Sequence, residues 1–434
     1  MDINCNKEQL EKSVNICQRA ISAKTAYKIL EGINIEAAGD VLIMHCTDND
    51  IGIECRIQAY VEKEGNMTVN AKLFGEMVRR LPDSVVRIYS IDEKKACILS
   101  GDAYFELFTI SGDEFPPFPE IGKESVFSID QSLFRKTLQK TSFAISIDES
   151  RKTLTGLLIE SENNEITAVA VDGFRIALSK QLIYNIEKPK IDEEKQEDEQ
   201  KQEDEQKYGK EQVQREDQVN EQKKEQEQKE DQVNEQEEEQ ERGQGKEQRE
   251  EQEDIHVIIP GKTVNELIRI IPSYPGAMSL YGTRKQMIVE FENCRLNSGI
   301  IEGEFFNYKY LIPEQFETDV SVRTIDLLDA VERASLIIAT DLIKRYPVLL
   351  CVKGDILEIK STSNLGIVDE KIKVQTQGKD IEVAFNPRFL SEALKSIEDA
   401  YIRINFTSEL GPCIIRPLNN NRFVHLILPV KRMV

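Results

Sequence analysis

The sequence predicts an α+β fold in which one unit of helices and antiparallel strands occurs three times. A helical segment that begins near Asn70 has counterparts near Pro260 and Asn386. Asn386 lies 126 residues after Pro260, whereas Pro260 lies 190 residues after Asn70, an excess of 64 residues. A run of biased composition at 191–254 has that same length, so the middle unit equals the outer ones plus an insertion. A period this long indicates repeated domains, because solenoid repeats run to only about 20 to 50 residues.

Each of the three segments, 69–82, 259–272 and 385–397, has the pattern of an amphipathic helix. An apolar residue is followed by Asn or Pro, residue types that suit a helix N-terminus. Apolar residues then recur every three or four positions, which predicts one buried stripe per helix. The predicted stripes are Leu73, Met77, Val78 and Leu81; Val264, Leu267, Ile268 and Ile271; and Phe389, Ala393, Leu394 and Ile397.

A second helix is predicted upstream of the first in every unit, at 7–20, 131–145 and 324–338. The last of these carries the apolar spacing of Leu327, Val331 and Leu336. Alternating segments bounded by polar turns predict strands between the two helices, as at 41–46, 166–171 and 356–360. The unit is therefore helix, strands, helix, strands, with domains predicted at 1–122, 123–312 and 313–434.

The run at 191–254 holds 27 acidic and 11 basic residues and almost nothing apolar, so it cannot form a packed core. We expect it to be disordered, although 216–222 recurs fourteen residues later and a solvated helix or weak coiled coil is the alternative. It has either no role or a partner-binding role. Without it the net charge of −22 becomes −6, so DNA binding requires basic residues gathered on one surface.

The chain is predicted to be a cytoplasmic protein with reduced thiols. Its eight cysteines include no CxxC pair, and disulfides are the alternative. The first residues lack a basic and apolar signal segment. No apolar run approaches the roughly 18 residues needed to span a membrane.

The sequence contains no pattern of a catalytic or metal site. The three histidines lie among apolar residues in predicted strands, where a structural role is typical. They are His45, His256 and His425. Asp48, Asp50 and Glu54 are predicted to be solvated residues of a hairpin turn. Because nucleotide-binding, metal-binding and GxSxG motifs are also missing from the sequence, we expect no catalytic residue, metal or cofactor.

One hairpin connects the repeat to a known family. Val171-Asp172-Gly173-Phe174-Arg175-Ile176 has an Asp-Gly turn signal between apolar runs, which alone indicates only a turn. The sequence resembles the bacterial sliding clamps, the beta subunits of DNA polymerase III, in which a strand ending in Thr-Asp-Gly-His-Arg-Leu lines a partner-binding cleft. Further similar segments follow the family's order and cover the chain except 191–254. They are Phe115-Pro116, Asp148-Glu149-Ser150-Arg151, Leu154-Thr155-Gly156, 385–390 and 426–430.

The resemblance implies the DNA clamp fold, with helices inside and antiparallel sheets outside a ring that two chains close head to tail around duplex DNA. It implies a non-catalytic processivity factor for the replicative polymerase; the alternative is a diverged scaffold that binds partners without encircling DNA. Basic residues at the helix starts, Lys72, Lys262 and Arg388, would then contact phosphates without reading bases. The positions that the resemblance implies as DNA-facing are Lys24, Lys72, Arg151 and Lys262.

The resemblance also implies a cleft between the second and third domains that binds short peptides of the polymerase III alpha subunit, the clamp loader and repair proteins. Val171 and Phe174 replace the family's threonine and histidine, which changes the peptide preference to be expected. The matching positions are Leu154, Val171, Gly173, Phe174, Arg175, Ile176, Phe306, Tyr310, Leu311, Asn386, Phe389, Leu410, Pro412, Leu426, Ile427, Leu428, Pro429, Val430 and Lys431.

Ring closure in the family pairs the edge of the first domain with the edge of the third domain of the other chain. The matching residues are Leu73, Met77, Phe105 and Leu107, facing Leu336 and Ile337. For Met77 and Leu107, a place in the core of their own domain is the alternative.

Overall fold

The computed structural model describes residues 1–21, 25, 27–119, 126–162, 164–183, 255–282, 285–338 and 346–431. The predicted insertion at 191–254 lies outside the described residues, as does Lys24. All of the described residues belong to one compact body, which contains the three repeated units.

Two α-helices per unit occur in the described part of the chain. They are α1 (Lys7–Cys17), α2 (Ala71–Arg79), α3 (Gln131–Gln139), α4 (Gly261–Ile270), α5 (Thr324–Leu336) and α6 (Pro387–Lys395). All six predicted helices are confirmed, although most end several residues earlier than predicted. The side chains of Asn70 and Asn386 cap α2 and α6, because they accept hydrogen bonds from the N–H groups of Leu73 and Arg388.

Among the residues that the structure describes, each unit has eight strands and the last unit has one more. The first unit has β1 (Asp2–Asn6), β2 (Gly32–Ala38), β3 (Val41–Thr47), β4 (Ile51–Lys63), β5 (Gly65–Asn70), β6 (Val85–Asp92), β7 (Lys95–Ser100) and β8 (Ala103–Ser111). The middle unit has β9 (Val126–Asp130), β10 (Gly156–Glu162), β11 (Glu165–Val171), β12 (Arg175–Leu182), β13 (His256–Pro260), β14 (Ala277–Gly282), β15 (Gln286–Phe291) and β16 (Cys294–Gly299). The last unit has β17 (Thr318–Arg323), β18 (Val348–Lys353), β19 (Ile356–Ser363), β20 (Gly366–Lys373), β21 (Gln375–Gly378), β22 (Ile381–Phe385), β23 (Tyr401–Phe406), β24 (Cys413–Pro417) and β25 (Phe423–Ile427).

Sheets cross from one unit to the next at two places. A twelve-stranded sheet continues from β4 into β16 and so joins the first and middle units; we call this the first junction. A nine-stranded sheet continues from β12 into β25 and joins the middle and last units; we call this the second junction. Both contacts are antiparallel. The remaining sheet has four strands, β20-β19-β18-β22, and β20 lies at its edge.

The apolar stripes of two helices differ from the prediction. Leu73 is 45% exposed, and Phe74 is buried in its place together with Ala71 and Val78. This stripe has the same three- and four-residue spacing as the predicted one, so packing of the larger Phe74 ring decides between them. Leu336, the last residue of α5, is 70% exposed and also lies outside the core.

The prediction of solvated turn residues is wrong for Glu54, and it is also wrong for the Asp48 side chain, which is only 2% exposed and pairs with Lys262. Only residues 48–50 form the turn, where Asp48 accepts hydrogen bonds from the N–H groups of Asp50 and Ile51. Glu54 is buried in β4 and accepts two hydrogen bonds from Arg295 of β16, at 2.9 and 3.0 Å. Burial raises the pKa of Glu54, but hydrogen bonds from Arg295 and from Arg56 outweigh burial and hold the pKa below its usual value. Glu54 therefore carries a charge pair across the first junction.

Two of the three histidines are buried, as expected of structural residues, but His256 is not. The side chain of His256 is 60% exposed. His45 packs edge-on against two phenylalanine rings, and burial lowers its pKa to about 4. His425 lies at the second junction, where its Nε2 atom is 3.1 Å from the Lys140 carbonyl oxygen, and burial lowers its pKa to about 3. Both rings are neutral in the folded protein near pH 7.

Candidate functional site

The predicted Asp-Gly turn is confirmed and lies at one end of the second junction. The Oδ1 atom of Asp172 accepts hydrogen bonds from the N–H groups of Phe174 and Arg175, at 2.9 and 3.1 Å. Gly173 has a φ of 88°, in the left-handed region that favours glycine. The Leu428 N–H donates to the Phe174 carbonyl oxygen at 2.9 Å, so the chain end of the last unit is tied to this turn.

Arg175 is the buried centre of the site, with only 5% of its side chain exposed. Its Nε donates to Asp172 at 2.8 Å, its Nη1 to Glu392 at 2.6 Å and its Nη2 to the Phe143 carbonyl oxygen at 2.6 Å. The guanidinium also lies over the ring of Phe389, 4.4 Å from the centroid. One side chain therefore links the turn, the segment after α3, and helix α6 of the last unit.

Glu392 remains ionised beside Arg175 because two guanidinium groups share it. Burial raises its pKa, but hydrogen bonds from Arg388 and Arg175 outweigh burial and lower the pKa below its usual value. Phe389, on the same helix, stacks on Phe174 with ring centroids 6.1 Å apart. The turn thus presents two stacked rings, Phe174 and Phe389, and the buried guanidinium of Arg175 packs on the ring of Phe389.

An apolar floor extends from the turn across the second junction. Both units contribute to one cluster of buried side chains, and four of the predicted cleft residues belong to it: Leu154, Val171, Ile176 and Leu426. Ile427 is buried in the adjoining core of the last unit. The other members of the cluster are Leu158, Val169, Leu178, Ile258, Ile301, Tyr308 and Ile414.

Several predicted cleft residues expose large apolar side chains, and those at 306–311 lie along the chain among Phe305, Tyr308 and Ile312, which pack in the buried cluster. The exposed fraction is 59% for Phe174, 46% for Phe306, 88% for Tyr310, 47% for Leu311 and 85% for Leu410. Single exposed apolar residues are ordinary, but a group next to a buried apolar cluster is typical of a binding groove. The floor and its rim can hold a short apolar peptide.

The remaining predicted cleft residues lie on the last unit. Asn386 is half-buried as the cap of α6, and Pro412 accepts a hydrogen bond from Thr407. The Val430 N–H donates to the Ala384 carbonyl oxygen at 2.9 Å, and Leu428 and Pro429 precede it in the same extended segment. Lys431 is exposed.

Sequence reasoning missed three residues that build the site. Glu392 and the Phe143 carbonyl hold Arg175, and the buried Tyr308 hydroxyl donates to Glu160 beneath the floor. Only Glu392 had a local signal, since it follows Arg388 by four residues on one helix face. Phe143 and Glu392 are 32 and 217 residues away from Arg175, so no short motif contains them.

The described residues among those predicted to face DNA are all exposed, but they differ in their surroundings. Lys72 is exposed in the first turn of α2. Lys262, at the start of α4, forms an ion pair with Asp48 of the first unit. The Arg151 guanidinium lies beside the hairpin turn, 4.0 Å from the position that a Cβ atom would take at Gly173. Arg151 is therefore adjacent to the candidate cleft.

Charge is segregated onto the helices. The six helices carry 11 Lys and Arg residues and 8 Asp and Glu residues, a net positive charge, although the whole chain has a net charge of −22. The most basic helix is α3, which has Arg135 and Lys136 and no acidic residue. The helices α2, α3, α4 and α6 each have a net positive charge, whereas α1 is neutral and α5 is net negative.

The six residues expected at the ring edge divide into exposed and buried groups. Leu73 and Leu336 are largely exposed, whereas Met77, Phe105 and Ile337 are half-buried and pack on the cores of their units. Leu107 is 5% exposed and belongs to the core of the first unit. Leu107 therefore lies in the core of its own domain, which is the alternative expected for it.

The described residues contain no group of three or more His, Cys, Asp or Glu side chains arranged to hold a metal ion. Within the same residues, no helix is both long enough and apolar enough to cross a membrane. All eight cysteines are buried.

Three domain models of one protein family match the chain apart from 194–243 and a few residues between and after the domains. Residues 1–119 match the N-terminal domain of the DNA polymerase III beta subunit, 128–193 and 244–307 match its central domain, and 309–431 match its C-terminal domain. The beta sliding clamp of Bacillus subtilis is 28% identical over 99% of this chain and 100% of its own length. That of Halalkalibacterium halodurans is 26% identical over 97% of each chain. The crystal structures of the Bacillus subtilis clamp and of a Eubacterium rectale beta subunit superpose with TM-scores of 0.81 and 0.79, each at 27% identity over the whole of both chains.

Proposed function

The chain belongs to the family of DNA polymerase III beta subunits, the bacterial sliding clamps, and on that premise we propose how two copies close a ring around duplex DNA. It is a processivity factor, a non-catalytic accessory subunit of the polymerase. The expected partners are DNA, the replicative polymerase and a second copy of the chain. We infer that it acts in the cytoplasm.

One observation carries the proposal of a ring. The same kind of strand pair joins neighbouring units at both junctions, and the two strands that would form a third such pair, one in the last unit and one in the first, lack this neighbour in the single chain. The fourth strand of the first unit pairs with the last strand of the middle unit, and the fourth strand of the middle unit pairs with the last strand of the last unit. The strands left over are β20 and β8. Among the described strands, β20 pairs only with β19, and residues 103–108 of β8 pair only with β7. A second copy supplies the missing neighbour of each strand.

The two junctions also share one register, which can be transferred to the pair between chains. At both junctions the fifth residue of the fourth strand lies opposite the first residue of the last strand. For β20 and β8 this rule gives the pairs Glu370 with Ala103, Asp369 with Tyr104, and Val368 with Phe105. One step beyond the end of β20, Leu365 comes opposite Phe108, and these side chains are 66% and 81% exposed in the single chain. Closure therefore removes large apolar surfaces from water.

A pair of introduced cysteines tests this register. Tyr104→Cys with Asp369→Cys in one chain should give, after mild oxidation, dimers linked through both edges, seen on a non-reducing gel. The matched control is Tyr104→Cys with Lys371→Cys, because Lys371 projects from the same face of β20 two residues away. The native cysteines are buried and should compete little. Efficient linkage of the control, or failure of both pairs in a protein that sediments as a dimer, would contradict the register.

We further propose that the basic helices face the DNA and hold it by enclosure. Phosphate contacts from residues such as Lys72 are weak, screened by salt and independent of base sequence, which permits sliding. The protein, loaded on a nicked circular plasmid with the clamp loader, should be lost when the plasmid is linearised. Equal retention on circular and linear DNA would favour the alternative of a scaffold that binds without encircling.

We propose that the groove at the second junction is the site for short peptides of the polymerase, the clamp loader and repair proteins. Its floor supplies apolar burial for the side chains of such a peptide. The stacked rings of Phe174 and Phe389 favour a peptide with an aromatic or long aliphatic side chain at that end. A fluorescent peptide from the polymerase III alpha subunit of the same organism should bind the protein and lose affinity in Phe174→Asp. Unchanged affinity would remove Phe174 from the site.

A further inference from the structure

Two buried thiols face each other at the first junction. Cys55 of β4 and Cys294 of β16 lie directly opposite in the antiparallel register, with their sulfur atoms 2.6 Å apart. The Arg56 N–H donates to the Asn293 carbonyl oxygen at 2.9 Å, so the cysteines form a non-hydrogen-bonded pair. In such pairs the Cα atoms are about 4.5 Å apart and the side chains approach most closely, a separation that a disulfide can span.

The surroundings make this pair different from the other cysteines. It lies next to Glu54 and Arg295, the charge pair that already joins the first and middle units. The corresponding pair at the second junction is Ser179 and Phe423, which cannot form a covalent bond. The partners are 239 residues apart in sequence, so a bond between them would close a loop that contains most of the middle unit.

We propose that Cys55 and Cys294 form a reversible disulfide that joins the first unit covalently to the middle unit when the protein meets a peroxide. One thiolate attacks hydrogen peroxide, the O–O bond breaks, and a sulfenic acid and water form after proton transfer. The second thiol then displaces the hydroxyl group of the sulfenic acid as a second water, and the Sγ–Sγ bond forms. The two thiols together lose two electrons and two protons, and the peroxide is reduced to two waters. A dithiol reverses the bond by exchange.

Burial makes the bond slow to form. It raises the pKa of Cys55 well above its usual value, and the thiolate is the reactive form. Hydrogen bonding to Cys294 and to a third thiol, Cys17, acts in the same direction. We therefore expect the rate of disulfide formation to increase about tenfold per pH unit in the neutral range. When the pH is far below the pKa of a thiol, its thiolate fraction also rises about tenfold per pH unit. Oxidation should be slower than that of an exposed cysteine but specific, because the partner sulfur is already in place.

The experiment is oxidation of the intact protein with hydrogen peroxide, followed by blocking of free thiols and peptide mapping without reductant. The expected product is one peptide pair that joins Cys55 to Cys294, a loss of two hydrogen atoms in mass, and full reversal by dithiothreitol. Cys55→Ala and Cys294→Ala should each abolish this peptide pair. Cys97→Ala is the matched control, since it removes a buried cysteine of the first unit and should leave the pair intact.

Two results would overturn the proposal. One is oxidation of other cysteines while Cys55 and Cys294 stay free at every pH tested. The other is a bond from Cys17 to Cys55 as the main product in the unmodified sequence. Neither result affects ring closure or DNA retention, which are measured with reduced protein, so the disulfide and the sliding clamp are tested independently.

Discussion

Replacement of Arg175 by alanine should loosen the second junction far more than replacement of Arg388, although both arginines bind the same Glu392. Arg175 is 5% exposed and donates three hydrogen bonds, two of them to carboxylates. Arg388 is 75% exposed and forms only an i,i+4 pair with Glu392 at 2.7 Å. The two substitutions therefore compare a buried and an exposed ion pair on one carboxylate.

The magnitudes follow from burial. Removal of one partner of a buried ion pair costs about 3–5 kcal/mol, because the other charge stays buried without compensation. Glu392 keeps Arg388, and its side chain is 29% exposed, so the lower figure of about 3 kcal/mol applies to Arg175→Ala. An exposed i,i+4 pair contributes about 0.3–0.5 kcal/mol, which is the expected cost of Arg388→Ala.

Hydrogen exchange of the amides in β25 measures the opening of this junction. A cost of about 3 kcal/mol should accelerate their exchange more than a hundredfold, and about 0.5 kcal/mol only two- to threefold, since 1.4 kcal/mol is a factor of ten. The amides of β16, at the first junction, are the internal control and should not change. Equal acceleration by the two substitutions, or less than tenfold for Arg175→Ala, would refute the buried network.

Three further predictions concern other parts of the molecule. Leu336→Lys with Ile337→Lys should convert dimers to monomers in sedimentation at micromolar concentration, because charge enters an apolar contact; a persistent dimer would remove these residues from the interface. Replacement of 191–254 by a short Gly-Ser turn should leave thermal unfolding nearly unchanged and raise the loading rate at low salt, and a large loss of stability would show that the tract packs on the units. His45 and His425 have folded pKa values of about 4 and about 3, below the unfolded value of about 6.5, so only the unfolded chain takes up these protons. Each histidine should reduce the free energy of unfolding by about 2 kcal/mol between pH 7.5 and pH 5, with no further loss below its folded pKa. In urea titrations, His425→Phe should show only the loss of about 2 kcal/mol that His45 causes over this pH range.

Features with a local cause could be predicted from the sequence. The caps at Asn70 and Asn386 and the turn at Asp172 and Gly173 depend on contacts within three residues, and all are present. The repeat also gave the order of helices and strands, because each unit must bury the same faces. Recognition of the family then depended on the turn and a few short segments in the right order.

What could not be predicted depends on contacts between distant parts of the chain. Glu54 is a charged residue close to a predicted turn, and its burial inside a sheet depends on the hydrogen bonds from Arg295, 241 residues later. The choice between Leu73 and Phe74 as the core residue of α2 depends on packing, since both fit a helical stripe. The apolar spacing also does not show that Leu73 and Leu336 are exposed, and in the proposed ring a second copy of the chain would cover them.

The two junctions within the chain and the one proposed between chains use equivalent strands but differ in the charges that they bury. Opening the first junction would separate Glu54 from Arg295, and opening the second would separate Arg175 from Glu392, so each would break an ion pair that the junction buries. In the proposed register between chains, the nearby acidic residues are already paired within their own unit, such as Glu370 with Arg333. Charges near the proposed pair, such as Lys371 and Asp102, are exposed in the single chain, so separation there exposes apolar surface but uncovers no charge that the single chain buries. A ring that must admit DNA should therefore open between chains rather than at either junction within the chain.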